Sequence, residues 1–458
     1  MINRLGDFCD IKKIINAKTL EKTEQKKIKH ISTDTRKINI GDIFLALQGE
    51  ANDGHKYVEN AFALGASCAI VNIKFDTKEI KGNFLLVEDT LMAYQQLAHA
   101  YRLSFPNLKV IGITGSNGKT TTKDMLFTAI KKQTNSICTL ENYNNEIGVP
   151  LTLFGLEEET RVAIIEMGMR GLKEIDLLAK IASPNIGIVV NAGVSHMELL
   201  GSEKNIAMAK GELFDNISIQ GCCIVNNDNK WSSFFADRCC GKIITFGIEH
   251  HANIFAKNIR EETHAIKATV SVFGEQEELF LPIPGRHNLL NSLAALGAVY
   301  ELGLSVGFAV EALTQLTLSK NRLSIMKGLN NCDIIDDSYN ANPDSMRESL
   351  KVMMNYQGKK QIAVLGGMRE LGCIEKEKHE QLGNYIQQLG IAELITIGDL
   401  GNLIAIGALN SGMKNVHMFQ TWEAALGLLK PMLDNNTVVL IKASRAIGLD
   451  RIVERIKE

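Results

Sequence analysis

The sequence has no run of apolar residues that approaches the roughly 18 needed to cross a membrane. Residues 1–15 mix charged with apolar side chains, so they lack the apolar core of a signal peptide. A strong charge of one sign is also missing, because 50 Lys and Arg against 52 Asp and Glu leave a net charge of -2. This balance gives no electrostatic reason to expect nucleic acid or an anionic membrane as a partner. We therefore expect a cytoplasmic protein whose acidic ligands are held by local charge.

Cysteine spacings typical of metal sites are missing as well. The chain has nine cysteines, including the adjacent pairs Cys222-Cys223 and Cys239-Cys240. Neither pair has the C-x-x-C spacing of zinc ligands. In a reducing compartment such residues act first as small buried hydrophobes, so the sequence favours neither metal binding nor disulfides for the cysteines.

The sequence does contain a glycine-rich loop, Gly115 to Thr121, between an apolar run and a helix start. This arrangement presents backbone N–H groups and the Lys119 ammonium to phosphates, and the Thr120 hydroxyl to magnesium. The loop departs from the strict G-x-x-x-x-G-K-[ST] pattern because Ile113 stands at the first position, and Gly115 provides the tight turn instead. A glycine turn without a ligand is the alternative, but it would not need this lysine and threonine. The loop predicts a nucleotide-using protein.

The length of 458 residues predicts about three domains. We place them at residues 1–88, 89–319 and 320–458. Apolar runs at 162–165 and 186–190 are typical of parallel strands covered by helices on both faces. The predicted fold class is α/β with three domains, in which a central doubly wound P-loop nucleotide domain precedes a Rossmann-like C-terminal domain.

Two further stretches refine this organisation. Residues 253–283 alternate polar with apolar side chains, which predicts an antiparallel patch, and a helix is predicted from about His287 to Leu302. Strands and helices alternate again after Asn321, for example in the apolar runs at 362–365 and 394–397.

Carboxylates follow two of the predicted strands. Because ligands bind at the carboxyl ends of strands in open parallel sheets, Glu166 could hold the magnesium of a nucleotide bound at Thr120. Asp336 and Asp337 end a strand of the third domain and are rival carboxylates of the same type. A solvated strand-end glutamate is the alternative for Glu166.

His196 and Lys210 are the other candidates. Considered alone, a single histidine and a single lysine would be ordinary surface or capping residues. His196 follows the strand at 186–190, however, and should emerge at the same sheet edge as the phosphate loop. This position favours a functional role.

Together these motifs resemble those of the Mur ligase family. The resembling segments lie along all three domains: Thr114 to Thr121, Glu166-Met167-Gly168, Asn191-Ala192-Gly193 with His196, Ala209-Lys210-Gly211-Glu212, Pro284 to Asn288 with Asn291, and Asp336 to Pro343. Asp34-Thr35-Arg36, Asn144 to Thr152 and Tyr339 to Pro343 resemble the members that add a dipeptide. The resemblance implies that ATP drives the joining of D-alanyl-D-alanine to UDP-N-acetylmuramoyl-tripeptide through an acyl phosphate. The three domains would bind the UDP-muramoyl-peptide, ATP and the dipeptide in that order, in a protein that we expect to be monomeric.

The resemblance also implies roles for individual residues. Lys119, His196 and Lys210 would be catalytic. Magnesium would be held by Thr120, Glu166, His196 and Lys210, the last as a carbamate. ATP would be bound by Gly115, Ser116, Asn117, Gly118, Lys119, Thr120, Thr121, Asn288, Asn291, Arg322, Asp337, Tyr339 and Asn340. The two other substrates would be bound by Asp34, Arg36, Asn144, Asn145, Thr152, Lys442, Ser444 and Arg445.

Two segments depart from the family pattern. The family's Leu-Gly-Asp-Met and Lys-Gly-Ser-Arg are here Leu365-Gly366-Gly367-Met368 and Lys442-Ala443-Ser444-Arg445. These departures concern the expected dipeptide contacts and leave the nucleotide site intact. Two alternatives stay open, a folylpoly-γ-glutamate synthase-like amide ligase and a non-ligase P-loop ATPase. The first would lack this N-terminal domain, and the second would need neither that domain nor the His-Lys pair.

Overall fold

A computed structural model describes residues 3–19, 29–49 and 52–458. The strands are β1 Lys18–Thr19, β2 Ile31–Ser32, β3 Ile43–Leu45, β4 Cys68–Asn72, β5 Phe84–Val87, β6 Lys109–Thr114, β7 Ser136–Cys138, β8 Val162–Glu166, β9 Ile186–Val189, β10 Cys222–Asn226, β11 Lys242–Gly247, β12 Ile254–Glu261, β13 Ile266–Val272, β14 Glu275–Leu281, β15 Ser324–Gly328, β16 Cys332–Asp336, β17 Lys360–Gly366, β18 Glu393–Ile397, β19 Val416–Phe419 and β20 Thr437–Lys442. The helices are α1 Phe8–Ile14, α2 Val58–Ala63, α3 Thr90–Leu103, α4 Lys119–Ile130, α5 Gly148–Phe154, α6 Glu174–Ala182, α7 Met197–Leu200, α8 Glu203–Asp215, α9 Ser232–Ala236, α10 Arg286–Glu301, α11 Val306–Leu313, α12 Pro343–Met354, α13 Glu375–Gln388, α14 Gly398–Asn410, α15 Trp422–Leu429 and α16 Asp450–Ile456.

The chain forms two compact units, which are described in turn. The smaller contains residues 1–112, 134–167 and 176–185, and the larger contains residues 113–133, 168–175 and 186–458. The predicted domain boundaries after residues 88 and 319 do not coincide with this division and stay predictions.

The smaller unit contains a mixed sheet with the strand order β1-β5-β4-β3-β2, in which β1 alone is antiparallel to its neighbour. Its inner strands β3 and β5 are apolar and buried along their whole length, as expected for strands covered on both faces. Phe44, Val58 and Phe84 lie in its core. In the same unit, β7 and β8 pair in parallel, and β8 ends at Glu166.

The larger unit contains the phosphate loop. Its first sheet has the order β14-β13-β12-β11-β10-β9, and beside β9 the end of β6 accepts a hydrogen bond at Thr114 from the N–H of Val190. Strands β9 to β12 are parallel, whereas β12, β13 and β14 are antiparallel, so the predicted antiparallel patch is confirmed. The predicted helix near residues 287–302 is confirmed as α10.

The second sheet of the larger unit has the order β15-β16-β20-β17-β18-β19. All of its pairings are parallel except that between β15 and β16. Helices pack on both faces, since one buried cluster includes Met346 of α12 and another includes Ile452 of α16. The strand order changes direction between β17 and β20, and the carboxyl ends of strands at such a point form a crevice where ligands bind. The predicted α/β architecture with a Rossmann-like C-terminal domain is confirmed.

Candidate functional site

The glycine-rich loop connects β6 to α4 and needs its second glycine for two reasons. Gly118 has a φ of +80°, in the left-handed region that disfavours side chains. A Cβ at this position would also lie 2.4 Å from Oδ1 of Asn291. Asn291 and Asn288 are both buried on α10, and the Asn288 amide donates to the Pro284 carbonyl at 2.7 Å. The structure therefore places Asn291 beside the loop, as the predicted nucleotide site requires.

Residues that follow β9 fix the shape of this loop. The Asn191 side chain accepts from the Asn117 N–H at 2.9 Å and donates to the Asn117 carbonyl at 3.1 Å. The Ser116 hydroxyl accepts from the Gly193 N–H at 3.0 Å and from the Ser195 hydroxyl at 2.8 Å. The loop is preorganised by these contacts, which lowers the cost of ordering it around a ligand.

Two lysines belong to the same region. The Lys119 ammonium donates to the Gly115 carbonyl at 2.7 Å, and Thr120 and Thr121 are buried beside it at the start of α4. Lys210 on α8 is only 1% exposed. Its burial, reinforced by the charge of Lys119, lowers the pKa of Lys210 well below its usual range. Burial therefore disfavours the charged ammonium of Lys210, and the uncharged amine is the form that reacts with carbon dioxide.

His196 stands at the entrance to α7 in an unusual backbone conformation. Its φ is +58°, and the φ of Glu370, in the loop after β17, is +65°. Such conformations cost a residue with a side chain about 1–2 kcal/mol. The Glu370 Oε2 lies 2.5 Å from the His196 Nδ1 at an angle outside hydrogen-bond geometry. This close contact with the imidazole holds the pKa of the Glu370 carboxyl below its usual range.

The loop after β17 reaches α7 through its main chain. The Glu198 N–H donates to the Glu370 carbonyl at 3.0 Å. Gly372 has a φ of +56°, and a Cβ on it would lie 2.9 Å from the Cα of Glu198. Only glycine fits here, so the close approach of the two segments depends on this residue.

The segment before α12 also contacts the phosphate loop. The Asn342 amide donates to the Asn117 side-chain oxygen at 2.6 Å. Asp344 lies against the residues that hold the loop, since a Cβ on Gly193 would be 2.5 Å from Asp344 Oδ2. Burial raises the pKa of the Asp344 carboxyl. The predicted site did not include Asn342, Asp344, Ser195 or Glu370, although Asn342 lies in the Tyr339 to Pro343 segment that could have indicated it.

Asp337, which was predicted to bind ATP, and Lys442, which was predicted to bind another substrate, form an ion pair in the structure. Asp337 accepts from the Leu323 N–H at 3.1 Å, from the Ser349 hydroxyl at 2.6 Å and from the buried ammonium of Lys442. Lys442 also donates to the Asn340 carbonyl at 2.9 Å. Asp337 and Lys442 therefore hold the turn after β16 in shape.

The aromatic ring of that turn is covered by two guanidinium groups. The Arg322 guanidinium carbon lies 4.0 Å from the centroid of the Tyr339 ring, and that of Arg445 lies 5.0 Å from it. Both distances are within the range of a cation–π contact. Two residues predicted for ATP are thus brought together with one predicted for the dipeptide.

Of the two departures from the family pattern, the structure explains Gly367, whereas nothing in it explains Ala443. A Cβ on Gly367 would lie 2.3 Å from the Cβ of Leu400, so the structure leaves no room for a side chain there. Ala443 is buried, and its Cβ would lie 2.7 Å from a Cβ on Gly366. The neighbouring Ser444 donates from its N–H to the Gly367 carbonyl at 3.1 Å.

Glu166, in the smaller unit, has an oxygen suited to a cation. Its Oε1 accepts from the Asn144 amide at 2.9 Å. Its Oε2 is buried and, within the described parts of the chain, has no hydrogen-bond partner. A buried carboxylate oxygen without a partner fits a metal ligand. Among residues 3–19, 29–49 and 52–458 no three His, Cys, Asp or Glu side chains cluster as a metal site.

The other predicted substrate residues of the smaller unit make local contacts. The Asn145 side chain accepts from the Gly148 N–H at 2.9 Å, and the Thr152 hydroxyl donates to the Gly148 carbonyl at 3.0 Å. Asp34 and Arg36 form a two-pronged ion pair in which Nη2 of Arg36 lies 2.8 Å from Oδ2 of Asp34. The arginine side chain is 87% exposed, and its hydrogen bond lowers the pKa of the Asp34 carboxyl. This pair is accessible to a ligand.

None of the described helices is long and apolar enough to cross a membrane. The predicted cytoplasmic location and monomeric state stay predictions.

Three family models match the sequence. Residues 27–102 match "Mur ligase family, catalytic domain", residues 113–299 match "Mur ligase middle domain" and residues 321–445 match "Mur ligase, glutamate ligase domain". The Bacillus subtilis protein named UDP-N-acetylmuramoyl-tripeptide–D-alanyl-D-alanine ligase is 36% identical over 437 residues, which cover 95% of this chain and 94% of that protein.

Solved structures give the same result. A crystal structure of MurF from Acinetobacter baumannii is 30% identical, with a TM-score of 0.89 and 97% of each chain covered. The MurF ligase from Thermotoga maritima in complex with ADP is 25% identical, with a TM-score of 0.82, and the match covers 93% of this chain and 96% of that one.

Proposed function

Because the chain belongs to the Mur ligase family, we propose that it joins D-alanyl-D-alanine to UDP-N-acetylmuramoyl-tripeptide with ATP. The product would be the UDP-muramoyl-pentapeptide, a precursor of peptidoglycan. The observation that carries this proposal is the phosphate loop, whose Asn117 is held by Asn191 and by Asn342 in the segment before α12. The likeness to the Bacillus subtilis ligase extends over 95% of the chain and supports the same substrates.

The reaction explains why these residues are needed. A carboxylate does not condense with an amine in water until it is activated, and transfer of the γ-phosphate of ATP to it gives an acyl phosphate and ADP. The dipeptide amine then attacks the acyl carbon and releases phosphate, so the reaction needs no nucleophilic serine or cysteine. Phosphoryl transfer depends on positioning and charge stabilisation, which Lys119 and the loop N–H groups provide. Exclusion of water protects the acyl phosphate from hydrolysis.

We also propose magnesium as the metal. Thr120 and Glu166 would hold one ion, and His196 and a carbamylated Lys210 would hold a second. Support comes from the buried, unpartnered Oε2 of Glu166 and from the burial of Lys210. When bound, the ions would neutralise charge on the phosphates during transfer.

The carbamate on Lys210 can be tested by chemical rescue. Lys210→Ala should be nearly inactive, and added acetate or formate should partly restore activity because a small carboxylate can occupy the position of the missing group. Lys204→Ala, which removes a lysine at the start of the same helix, is the matched control and should keep normal activity. Absence of rescue, together with absence of labelled carbon dioxide on the wild-type protein, would contradict the modification.

The activity itself is tested by measuring phosphate release with each substrate omitted in turn, and by identifying the product by mass. We expect ADP, phosphate and the pentapeptide only when ATP, UDP-N-acetylmuramoyl-tripeptide and D-alanyl-D-alanine are all present. Equal ATP hydrolysis without the two cosubstrates would favour the non-ligase ATPase. Activity with a folate and glutamate would favour the synthase-like ligase, which the similar proteins do not favour.

A further inference from the structure

We propose that Glu370 is a positioning residue for His196, which it orients through Nδ1 so that Nε2 is the nitrogen available to a metal. The inference rests on the proposed function, because it takes His196 as a ligand of the second magnesium. The new element is the Glu370 carboxylate, which lies in the loop after β17 of the second sheet.

The first support is the geometry of the pair. The Glu370 Oε2 lies 2.5 Å from the His196 Nδ1, and the histidine side chain is 21% exposed. At this distance, an imidazole turned so that its Nδ1–H points at the carboxylate would donate a hydrogen bond to Glu370. Histidines that bind metals commonly donate their second ring N–H to a carboxylate, which fixes both the tautomer and the orientation of the ring. Glu370 is placed to do this for His196.

The second support is the backbone around the pair. His196 and Glu370 both have left-handed φ values, +58° and +65°, although neither is a glycine. Residues in such conformations cluster at functional sites, where the surrounding structure maintains them. Here the maintaining contacts are the hydrogen bond from the Glu198 N–H to the Glu370 carbonyl and the close approach of Gly372 to Glu198.

The third support comes from Ser444, a residue predicted to bind the dipeptide. Its hydroxyl accepts from the Arg369 N–H at 2.9 Å. The loop after β17 is thereby tied to the residues after β20, at the point where the strand order of this sheet changes direction. Glu370 therefore lies on a loop whose position is fixed by a hydrogen bond to the residues after β20. It orients His196 where that loop contacts α7.

The orientation of the ring can be measured in the metal-free protein. Protein labelled with ¹⁵N-histidine should show His196 with a protonated Nδ1 and a bare Nε2, at a pH well above the usual histidine range. The His196→Gln variant assigns the signals. Glu370→Ala should shift the ring towards the Nε2–H tautomer, whereas Glu370→Gln should preserve the wild-type pattern because its amide oxygen still accepts from Nδ1. An unchanged His196 spectrum in Glu370→Ala would overturn the proposal.

Metal dependence provides the second readout. In Glu370→Ala the magnesium concentration for half-maximal phosphate release should rise about tenfold or more, the usual effect of removing a partner of a metal ligand. Binding of Mn²⁺ to the ADP complex, followed by electron paramagnetic resonance, should weaken in parallel. Glu370→Gln should stay within about threefold of wild type. Glu198→Ala, which removes an exposed carboxylate two residues from His196, is the matched control and should change neither value.

The possible failures are distinguishable. If wild type does not require both cosubstrates for phosphate release, the proposed function fails. If wild type does require them but Glu370→Ala keeps the wild-type magnesium dependence, the role of Glu370 fails. If Glu370→Ala does not fold, Glu370→Asp replaces it, because the shorter side chain withdraws the carboxylate from Nδ1 and should raise the magnesium requirement in the same direction.

Discussion

The phosphate loop and the Asp34–Arg36 turn are both predicted to bind charged ligands, but they are built in opposite ways. In the loop, Ser116 and Asn117 are held by side chains that follow β9 and by one from the segment before α12. In the turn, Arg36 is 87% exposed and pairs with a carboxylate two residues away. The loop has its shape fixed by these hydrogen bonds without a ligand, whereas the arginine can exchange its partner for a ligand.

This difference indicates how each region uses its charge. Preorganised groups act on charge that develops during the reaction, because they need no rearrangement at that moment. An exposed ion pair is worth little to stability and is easily replaced, so it suits initial recognition. Substitutions in the loop should therefore change turnover, and substitutions in the turn should change the apparent affinity for one substrate.

The largest effect is expected for Lys119→Ala. Removal of one preorganised charge should lower kcat by at least about 10²-fold. Lys119→Arg should not restore the rate, because a planar guanidinium does not replace a compact ammonium in a tight loop. Steady-state kinetics with all three substrates measure both variants. A near-normal kcat in Lys119→Ala would show that the phosphates lie elsewhere.

A smaller effect is expected for Asn191→Ala, which leaves the Asn117 N–H and carbonyl without their partner. Asn117 is half-buried, so water partly replaces the lost partner, and a total cost of about 1–3 kcal/mol should lower kcat/KM for ATP roughly 5- to 150-fold. Asn227→Ala is the matched control, because Asn227 follows the neighbouring strand β10 but donates to the His251 carbonyl. If both variants behave alike, the loop does not depend on Asn191 for its shape.

The smallest effect is expected for Arg36→Ala. The KM for UDP-N-acetylmuramoyl-tripeptide should rise about tenfold, the value of one charge-assisted contact, while kcat and the thermal midpoint stay unchanged. Lys37→Ala removes the adjacent exposed cation and should leave all three values at the wild-type level. A large loss of kcat in Arg36→Ala would remove the contrast between the turn and the loop.

The site residues that could be predicted from the sequence lie in short contiguous segments. The glycine-rich loop, the residues after β9 and the turn after β16 each combine local backbone requirements with polar side chains, so sequence patterns indicated them. The α/β class was predictable from the apolar runs, whereas the order of the strands in each sheet was not. The parallel strands of the second sheet of the larger unit, for example, are apolar because both of their faces are covered.

What the sequence could not indicate were contacts between distant segments. Asn342 meets Asn117 across 225 positions, and the pairing of Lys442 with Asp337 spans 105. A lysine that ends a strand has the same sequence pattern whether it binds a substrate or pairs with an aspartate. Glu370 gave no signal either, because its neighbour His196 is brought to it only by folding.

The docking of the loop after β17 onto α7 has a consequence for which residues can vary. The contacts at Glu198 use its backbone N–H and Cα, and its side chain is exposed. In a library of single substitutions, positions 198 and 199 should therefore accept most amino acids. Gly372 should accept almost none, since its backbone angle disfavours a side chain and the Cα of Glu198 leaves no room for a Cβ. At this contact, substitutions should thus be tolerated on the α7 side and rejected at Gly372.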